Sequence, residues 1–288
     1  MSKDILSTIT ANMKSFSKGQ KRIAAYILES YDKAAFITAH QLGAAVGVSE
    51  STVVRFAAEL GYDGYPDMQR TLQEMVRNKL TSVQRIEVSR DRIGDHDILS
   101  KVFQSDMEKL RMTMESVNRV SFEAAADSIV SARRIYILGV RSSSALASFL
   151  GFYFNLIFQQ ISLIHTNSVS EVFEQLLRIG PEDVLIGISF PRYSSRTVKA
   201  MQFAKDRGAA TIAITDSESS PLARWASYDL LAKSDMVSFL DSLVAPLSLI
   251  NALIVSVAQK KTPEIYRSFE TLEKIWEEYE VYEKVETE

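Results

Sequence analysis

The residues best suited to chemistry in this chain are hydroxyls grouped where an apolar strand hands over to a helix. LGVRSSSALA, residues 138–147, sets Ser142, Ser143 and Ser144 directly after a strand-like run, with a helix expected to begin near Ser144. A second group, VLIGISFPRYSSRTVKA, puts Ser189, Arg192, Tyr193, Ser194, Ser195 and Thr197 at another junction of the same kind. In an open parallel sheet, ligands bind beyond the carboxyl ends of the strands. Backbone N–H groups and hydroxyls converge there on an anion, most simply a phosphate. One serine cluster is more often a helix cap than a ligand site, whereas two in one sheet read as a phosphate clamp. Arg192 and Tyr193 exceed what a phosphate needs and suit hydroxyls or a carboxylate on the rest of the ligand.

A different chemistry is written at residues 38–56, TAHQLGAAVGVSESTVVRF. Thr38 can cap a helix whose inner face is Leu42 and Val46, and Gly47 supplies a position where positive φ costs little. Ser49 can cap the next helix, with Thr52 three residues on. Small Gly43, the glycine turn and the apolar anchors Val48 and Val53 fit two helices crossing closely at a short turn. The second helix then presents Ser49, Glu50, Ser51, Thr52 and Arg55 near its N-terminal end, which suits phosphate contacts and base-edge readout in a major groove. The plain alternative is a helical hairpin with a glycine turn. Beyond it, LGYDGYPDMQ interleaves Gly61 and Gly64 with Tyr62 and Tyr65, and we expect a packed connection there rather than a wing.

The elements that must position these groups follow from periodicity. Up to about Arg77 the apolar residues fall at helical spacings, as in Ile23 and Ile27, so the first part is expected to be all helix. Two further helical runs occupy about 99–130. Short apolar strands then alternate with helices: Arg134 to Leu138, Ser162 to His165, Val184 to Ser189, Thr211 to Thr215 and Tyr228 to Leu231. That alternation marks βαβ units and a parallel sheet covered on both faces. Residues 1–80 are therefore expected to form a helix-turn-helix domain and 99–288 an α/β domain with flanking helices. The charged stretch 81–98, with Val83 to Asp97 at its centre, is read as a linker.

Composition removes several classes. The 288 residues include no cysteine, and His40, His96 and His165 are scattered, so neither a disulfide framework nor a metal site is expected, and no cofactor is implied. The N-terminus lacks the pattern of an export signal, which places the expected protein in the cytoplasm. Ser142 to Ser170 and Ser242 to Gln259 are free of charged residues but interrupted by polar ones, so they are expected as buried or subunit-interface helices rather than membrane spans. The formal charge of −3 hides an asymmetry. Residues 1–85 hold 11 lysines and arginines against 8 aspartates and glutamates, and the remainder holds 22 against 28. The first part is the half suited to a polyanion.

Taken together, TAHQLGAAVGVSESTVVRFAAELGYDGYPDM resembles the helix-turn-helix segment of the RpiR/MurR-type bacterial transcriptional regulators. GVRSSSALA, ISFPRYSSRT and ITDSESSPLA resemble the sugar isomerase (SIS) domain attached to it. The resemblance implies a doubly wound SIS domain with a mostly parallel five-stranded sheet. It also implies a homodimer or homotetramer on a palindromic DNA operator and control by a phosphorylated sugar or sugar acid; the attached DNA-reading domain is the reason that no catalysis is expected. Ser142, Ser143, Ser189, Ser194 and Thr197 match the family's phosphate-loop hydroxyls. Pro191 and Arg192 depart from it, because many SIS domains carry a Ser-Gly pair there, and the loop backbone is correspondingly less free. Two rivals remain at this point. One is a sugar-phosphate isomerase using Glu171 and His165, although an attached DNA-reading domain has no purpose in a plain isomerase. The other is a regulator switched by a protein partner without any ligand.

Overall fold

The computed structural model describes residues 5–79, 81, 83–86, 97–166, 168–234 and 240–283. The chain divides into two compact units, Met1–Val102 with Met236–Asp241 and Phe103–Asp235 with Ser242–Glu288. Of the stretch read as a linker, 80, 82 and 87–96 lie outside the described residues, while 83–86 are helical.

The described elements of the first unit are helices: α1 Ile5–Asn12, α2 Lys18–Glu29, α3 Tyr31–Ala34, α4 Ala39–Val46, α5 Glu50–Glu59 and α6 Tyr65–Lys79. Helix α2 starts in a capping box, in which the Ser17 N–H donates to Gln20 Oε1 (2.8 Å) and the Gln20 N–H donates back to Ser17 Oγ (3.4 Å). Ile23 and Ile27, four apart and so on one helix face, join Leu42, Val53, Phe56, Met68 and Leu72 in a core with no exposed surface. Each such side chain contributes about 1.5–3 kcal/mol on burial.

Gly61 and Gly64 take φ of 90° and 145°, turning the chain so that Tyr65 enters the core. Its hydroxyl donates to the carbonyl oxygen of Ile37 (2.8 Å), so LGYDGYPDM is a packed connection. Burial pushes the Tyr65 phenol up to about 12 from 10.0. The neutral phenol is thus favoured in the folded state. That stability is fully present below about pH 10 and is lost as pH rises through about 12. Tyr65→Phe is expected to cost about 1 kcal/mol near neutrality, for the hydrogen bond to Ile37, and to lose less than the wild type between about pH 8 and about pH 11. Urea unfolding at the two pH values measures both.

The second unit takes in α7 Ile98–Ser116 from Phe103 onward. It continues α8 Arg119–Ser131, β1 Arg134–Gly139, α9 Ser143–Ile157, β2 Ile161–Leu163, α10 Val169–Gln175, β3 Asp183–Ile188, α11 Ser195–Asp206 and β4 Ala210–Thr215. A 3-10 turn at Ala223–Trp225, β5 Tyr228–Leu231, α12 Val244–Lys260 and α13 Thr262–Glu278 complete it. The five strands are all parallel in the order β2-β1-β3-β4-β5. Alternate side chains leave the sheet on opposite faces. Ile135, Ile137, Ile186 and Ile212 join one core with residues of α8, α9 and α12, while Tyr136, Leu138, Leu185 and Ala213 join another with residues of α10 and α11. The doubly wound α/β fold read from the alternating runs is the one observed. Strand β2 begins one residue earlier and ends two residues sooner than expected, at Leu163, and the side chains of His165 and Thr166 beyond it meet Ser148 and Glu171.

The charge-free stretch 242–259 becomes α12, which buries Leu249, Ile250, Leu253 and Val257. The stretch 142–170 supplies α9, which buries Leu146, Leu150 and Phe154, and then β2. Among the described residues no helix is long and apolar enough to cross a membrane.

Candidate effector site and nucleic-acid interface

In the second unit, β1 and β3 are neighbours whose register runs to Gly139 against Ile188, so their exits lie side by side. From β1 the chain builds outward to β2 on one side and to β3, β4 and β5 on the other. This is the topological switch point, where a doubly wound sheet opens a crevice for ligands.

At the first exit the turn is sharp. A Cβ built on Gly139 would stand 2.3 Å from the carbonyl oxygen of Ser143, so only glycine lets the helix start fold back over the strand end. Arg141 takes φ of 59°, a left-handed conformation uncommon outside glycine. Helix α9 begins at Ser143, one residue before the expected start. The three serines then diverge. Ser144 donates its hydroxyl to the carbonyl of Arg141 (2.5 Å), Ser143 is buried, and Ser142 is exposed and makes no side-chain cap. Ser142 and Ser143 are therefore the hydroxyls this junction can turn toward an anion.

At the second exit, Ser189 is buried at the strand end, and its Oγ accepts the Ser194 N–H (3.0 Å). Ser194 in turn caps α11 by accepting the Thr197 N–H (3.4 Å). Ser195 is exposed on the first turn of that helix. Thr197 is fully buried, and its Oγ1 finds no hydrogen-bond partner. Such a group in a folded protein calls for an explanation, because leaving it unpaired costs about 1–3 kcal/mol. Arg192 is exposed at φ 66°, the second arginine in a left-handed conformation at these two junctions. Strain of this kind collects at functional sites. The Tyr193 hydroxyl donates to Asp216 Oδ1 (2.8 Å), tying the β3 exit to the buried Asp216 at the β4 exit. The sequence reading missed Gly139, Arg141 and Asp216. A glycine closing an apolar strand ahead of a serine run was the available signal for the first.

The residues considered for isomerase chemistry sit at the β2 exit and are locally engaged. Glu171 accepts the Thr166 hydroxyl, and His165 Nε2 lies 3.2 Å from Ser148 Oγ.

In the first unit, Thr38 caps α4 with Gln41 completing a capping box. Gly47 is left-handed at φ 66°, and the Val48 N–H donates to Gly43 O (2.9 Å), closing the helix end. A Cβ on Gly43 would stand 2.8 Å from the carbonyl of Val48, which explains the glycine at this crossing. Ser49 occupies the cap position of α5 but makes no cap bond, contrary to expectation. Its hydroxyl instead engages those of Ser51 (2.9 Å) and Thr52 (2.8 Å). Val53, Phe56 and Ala57 anchor the inner face of α5. Ser49, Glu50, Ser51 and Arg55 are exposed and Thr52 half-buried. Val54, unremarked in the sequence, is also exposed between Ser51 and Arg55 and offers an apolar surface of the kind that meets a thymine methyl group.

A helix-turn-helix joined to a doubly wound sheet is the architecture of a class of transcription regulator. Residues 3–79 match the helix-turn-helix domain of the rpiR family, and residues 128–256 match the SIS domain. An RpiR transcription factor from Sphaerobacter thermophilus, solved as its sugar isomerase domain, is 30% identical with a TM-score of 0.58, over 61% of this chain and 97% of that one. An uncharacterized HTH-type transcriptional regulator of Caldanaerobacter subterraneus is 27% identical over 94% of this chain and 96% of its own length. NanR of Vibrio vulnificus, solved in complex with ManNAc-6P, shares the fold at 23% identity and a TM-score of 0.59, over 94% of this chain and 97% of that one. The chain belongs to the RpiR family of transcription regulators, which join a helix-turn-helix to a SIS domain.

Proposed function

We propose that this protein binds a palindromic DNA operator and controls genes of sugar or sugar-acid metabolism, with its operator affinity set by a phosphorylated sugar or sugar acid at the β1 and β3 exits. The observation that carries the reading is the pairing of two hydroxyl junctions at one switch point, where the Thr197 hydroxyl is buried and unpartnered. Ser142, Ser143, Ser189, Ser194, Ser195 and Thr197 hold the phosphate, and Arg192 meets the rest of the ligand. Tyr193 acts by fixing the loop through Asp216. Ser144 supports the turn. Ser49, Glu50, Ser51, Thr52 and Arg55 form the DNA-reading end of α5.

A two-fold operator calls for a two-fold protein. Exposed Phe152 and Tyr153 on α9 and Val255 on α12 supply apolar surface for a second copy. Effector binding orders the two exits, shifts the pairing of SIS domains and alters the spacing of the two recognition helices.

A thermal-shift series tests the effector class, with phosphorylated sugars and sugar acids each beside its unphosphorylated parent. A ligand at about 100 times its Kd adds about 2.7 kcal/mol if it binds only the folded state. A shift that requires the phosphate is expected. Equal shifts with parent and phosphate, or none at all, would remove the clamp and return the serines to helix capping.

A further inference from the structure

The exposed cations of the helical unit that face α5 are not all on α5. Helices α2 and α5 touch at Gly19, where a built Cβ lies 3.5 Å from Thr52 Cγ2 and 3.5 Å from Val48 Cγ1. Where they diverge they leave an open groove of about 630 Å³, walled by Ser17, Gly19 and Arg22 on one side and by Ser49, Thr52 and Arg55 on the other. Arg22 is held over the turn of the motif, because its Nη2 donates to the carbonyl oxygen of Gly47 (2.8 Å). Lys18 is exposed one turn before it on α2. Residues four apart on a helix have Cβ atoms about 5–6 Å apart, so Lys18 and Arg22 make a short cationic row. Among the ion pairs of the described residues none involves Lys18, Arg22 or Arg55. The carboxylate that lines the groove, Glu59, is engaged by the Gln20 side-chain amide.

We infer that the row Lys18–Arg22 on α2 is a second DNA contact, one that grips the sugar-phosphate backbone bordering the groove that α5 reads. The inference rests on the proposed DNA-binding role and assigns α2 a separate task within it. The hydroxyls and Arg55 at the start of α5 are placed for base edges. A flanking element that abuts that start meets the wall of the same major groove, which is phosphate. Phosphate contacts orient the protein and carry no sequence information. The division of labour is therefore specific: α5 sets which DNA is preferred, and the α2 row sets how tightly any duplex is held and how steeply salt weakens it.

The test is fluorescence anisotropy with the full chain over a range of salt concentrations. Two labelled duplexes are used, one selected by the wild-type protein from a random pool and one unrelated duplex of equal length. Lys18→Ala is expected to weaken both by similar factors, and to lower the slope of log K against log salt by about 0.9 for each subunit bound. Lys18→Arg is expected to restore the wild-type slope. Lys18→Glu should weaken both duplexes further. Arg55→Ala run alongside is expected to narrow the gap between the duplexes. A wild-type slope for Lys18→Ala and Lys18→Glu on both duplexes would overturn the inference while leaving the α5 reading intact. Loss of preference for the selected duplex by Lys18→Ala, with an unchanged slope, would also overturn it, since Lys18 would then be reading sequence. A wild-type chain that binds neither duplex would overturn the DNA-binding reading itself.

Discussion

Gly139→Ala is expected to abolish the effector response and to destabilise the α/β unit by about 3 kcal/mol or more. Overfilled sites typically cost about 1–3 kcal/mol, and the upper part of that range applies where the neighbour cannot move. Here the neighbour is backbone: the new methyl would stand 2.3 Å from the Ser143 carbonyl oxygen and 2.9 Å from its carbon. Relief requires moving the first turn of α9 away from β1, which carries Ser142 and Ser143 out of the crevice. Gly187 on β3 provides the contrast. A Cβ there meets Met201 Sδ at 2.6 Å, and a thioether on an unbranched chain can rotate away. Gly187→Ala should therefore cost less than Gly139→Ala and leave part of the ligand-induced thermal shift. Denaturant unfolding of the two variants, with and without the best phosphorylated ligand, reads both effects. Equal costs would mean that the α9 turn is more compliant than its geometry implies.

Much of this architecture was legible beforehand because it depends on local pattern. Isoleucines and valines in runs of about six, separated by helix-length segments, fix a parallel sheet whatever the details of packing. Thr38, Gly47 and the apolar anchors around them fix the helix-turn-helix, since capping and positive φ are decided within a few residues. The site was only partly legible. LGVRSSSALA names three equal serines, and the chain direction through Arg141 decides that Ser144 turns back while Ser142 and Ser143 remain. An arginine carries no signal of positive φ, so neither Arg141 nor Arg192 announced the turn it makes. Nothing local to Tyr193 announces that the β4 exit brings Asp216, 23 residues on, within 2.8 Å of its hydroxyl. Ser49 reads as a cap, yet its neighbours Ser51 and Thr52 offer competing hydroxyls at short range. In each case the missing information is a contact that exists only once the elements are assembled, or a backbone angle that the residue type disfavours.

Thr197→Val separates the effector reading from a purely structural one, because the two demand effects of opposite sign. The Thr197 side chain is fully buried in the first turn of α11, with its Oγ1 unpartnered. Its backbone N–H is already bound to Ser194 Oγ, so the substitution leaves the helix cap in place. Valine keeps the shape and replaces the hydroxyl by a methyl group. Removing a buried hydroxyl that has no partner relieves part of a desolvation cost of about 1–3 kcal/mol, so the unliganded variant is expected to be as stable as the wild type or more so. A hydrogen bond to a charged group contributes about 1.5–3 kcal/mol, so a phosphate oxygen that reaches Thr197 would bind roughly 10- to 100-fold more weakly to the variant. Unfolding without ligand and calorimetric titration with it supply the two numbers. A variant that is less stable and binds equally well would show that the hydroxyl serves the fold. A variant that is more stable and binds more weakly is the outcome expected of a residue whose buried hydroxyl is kept for the ligand.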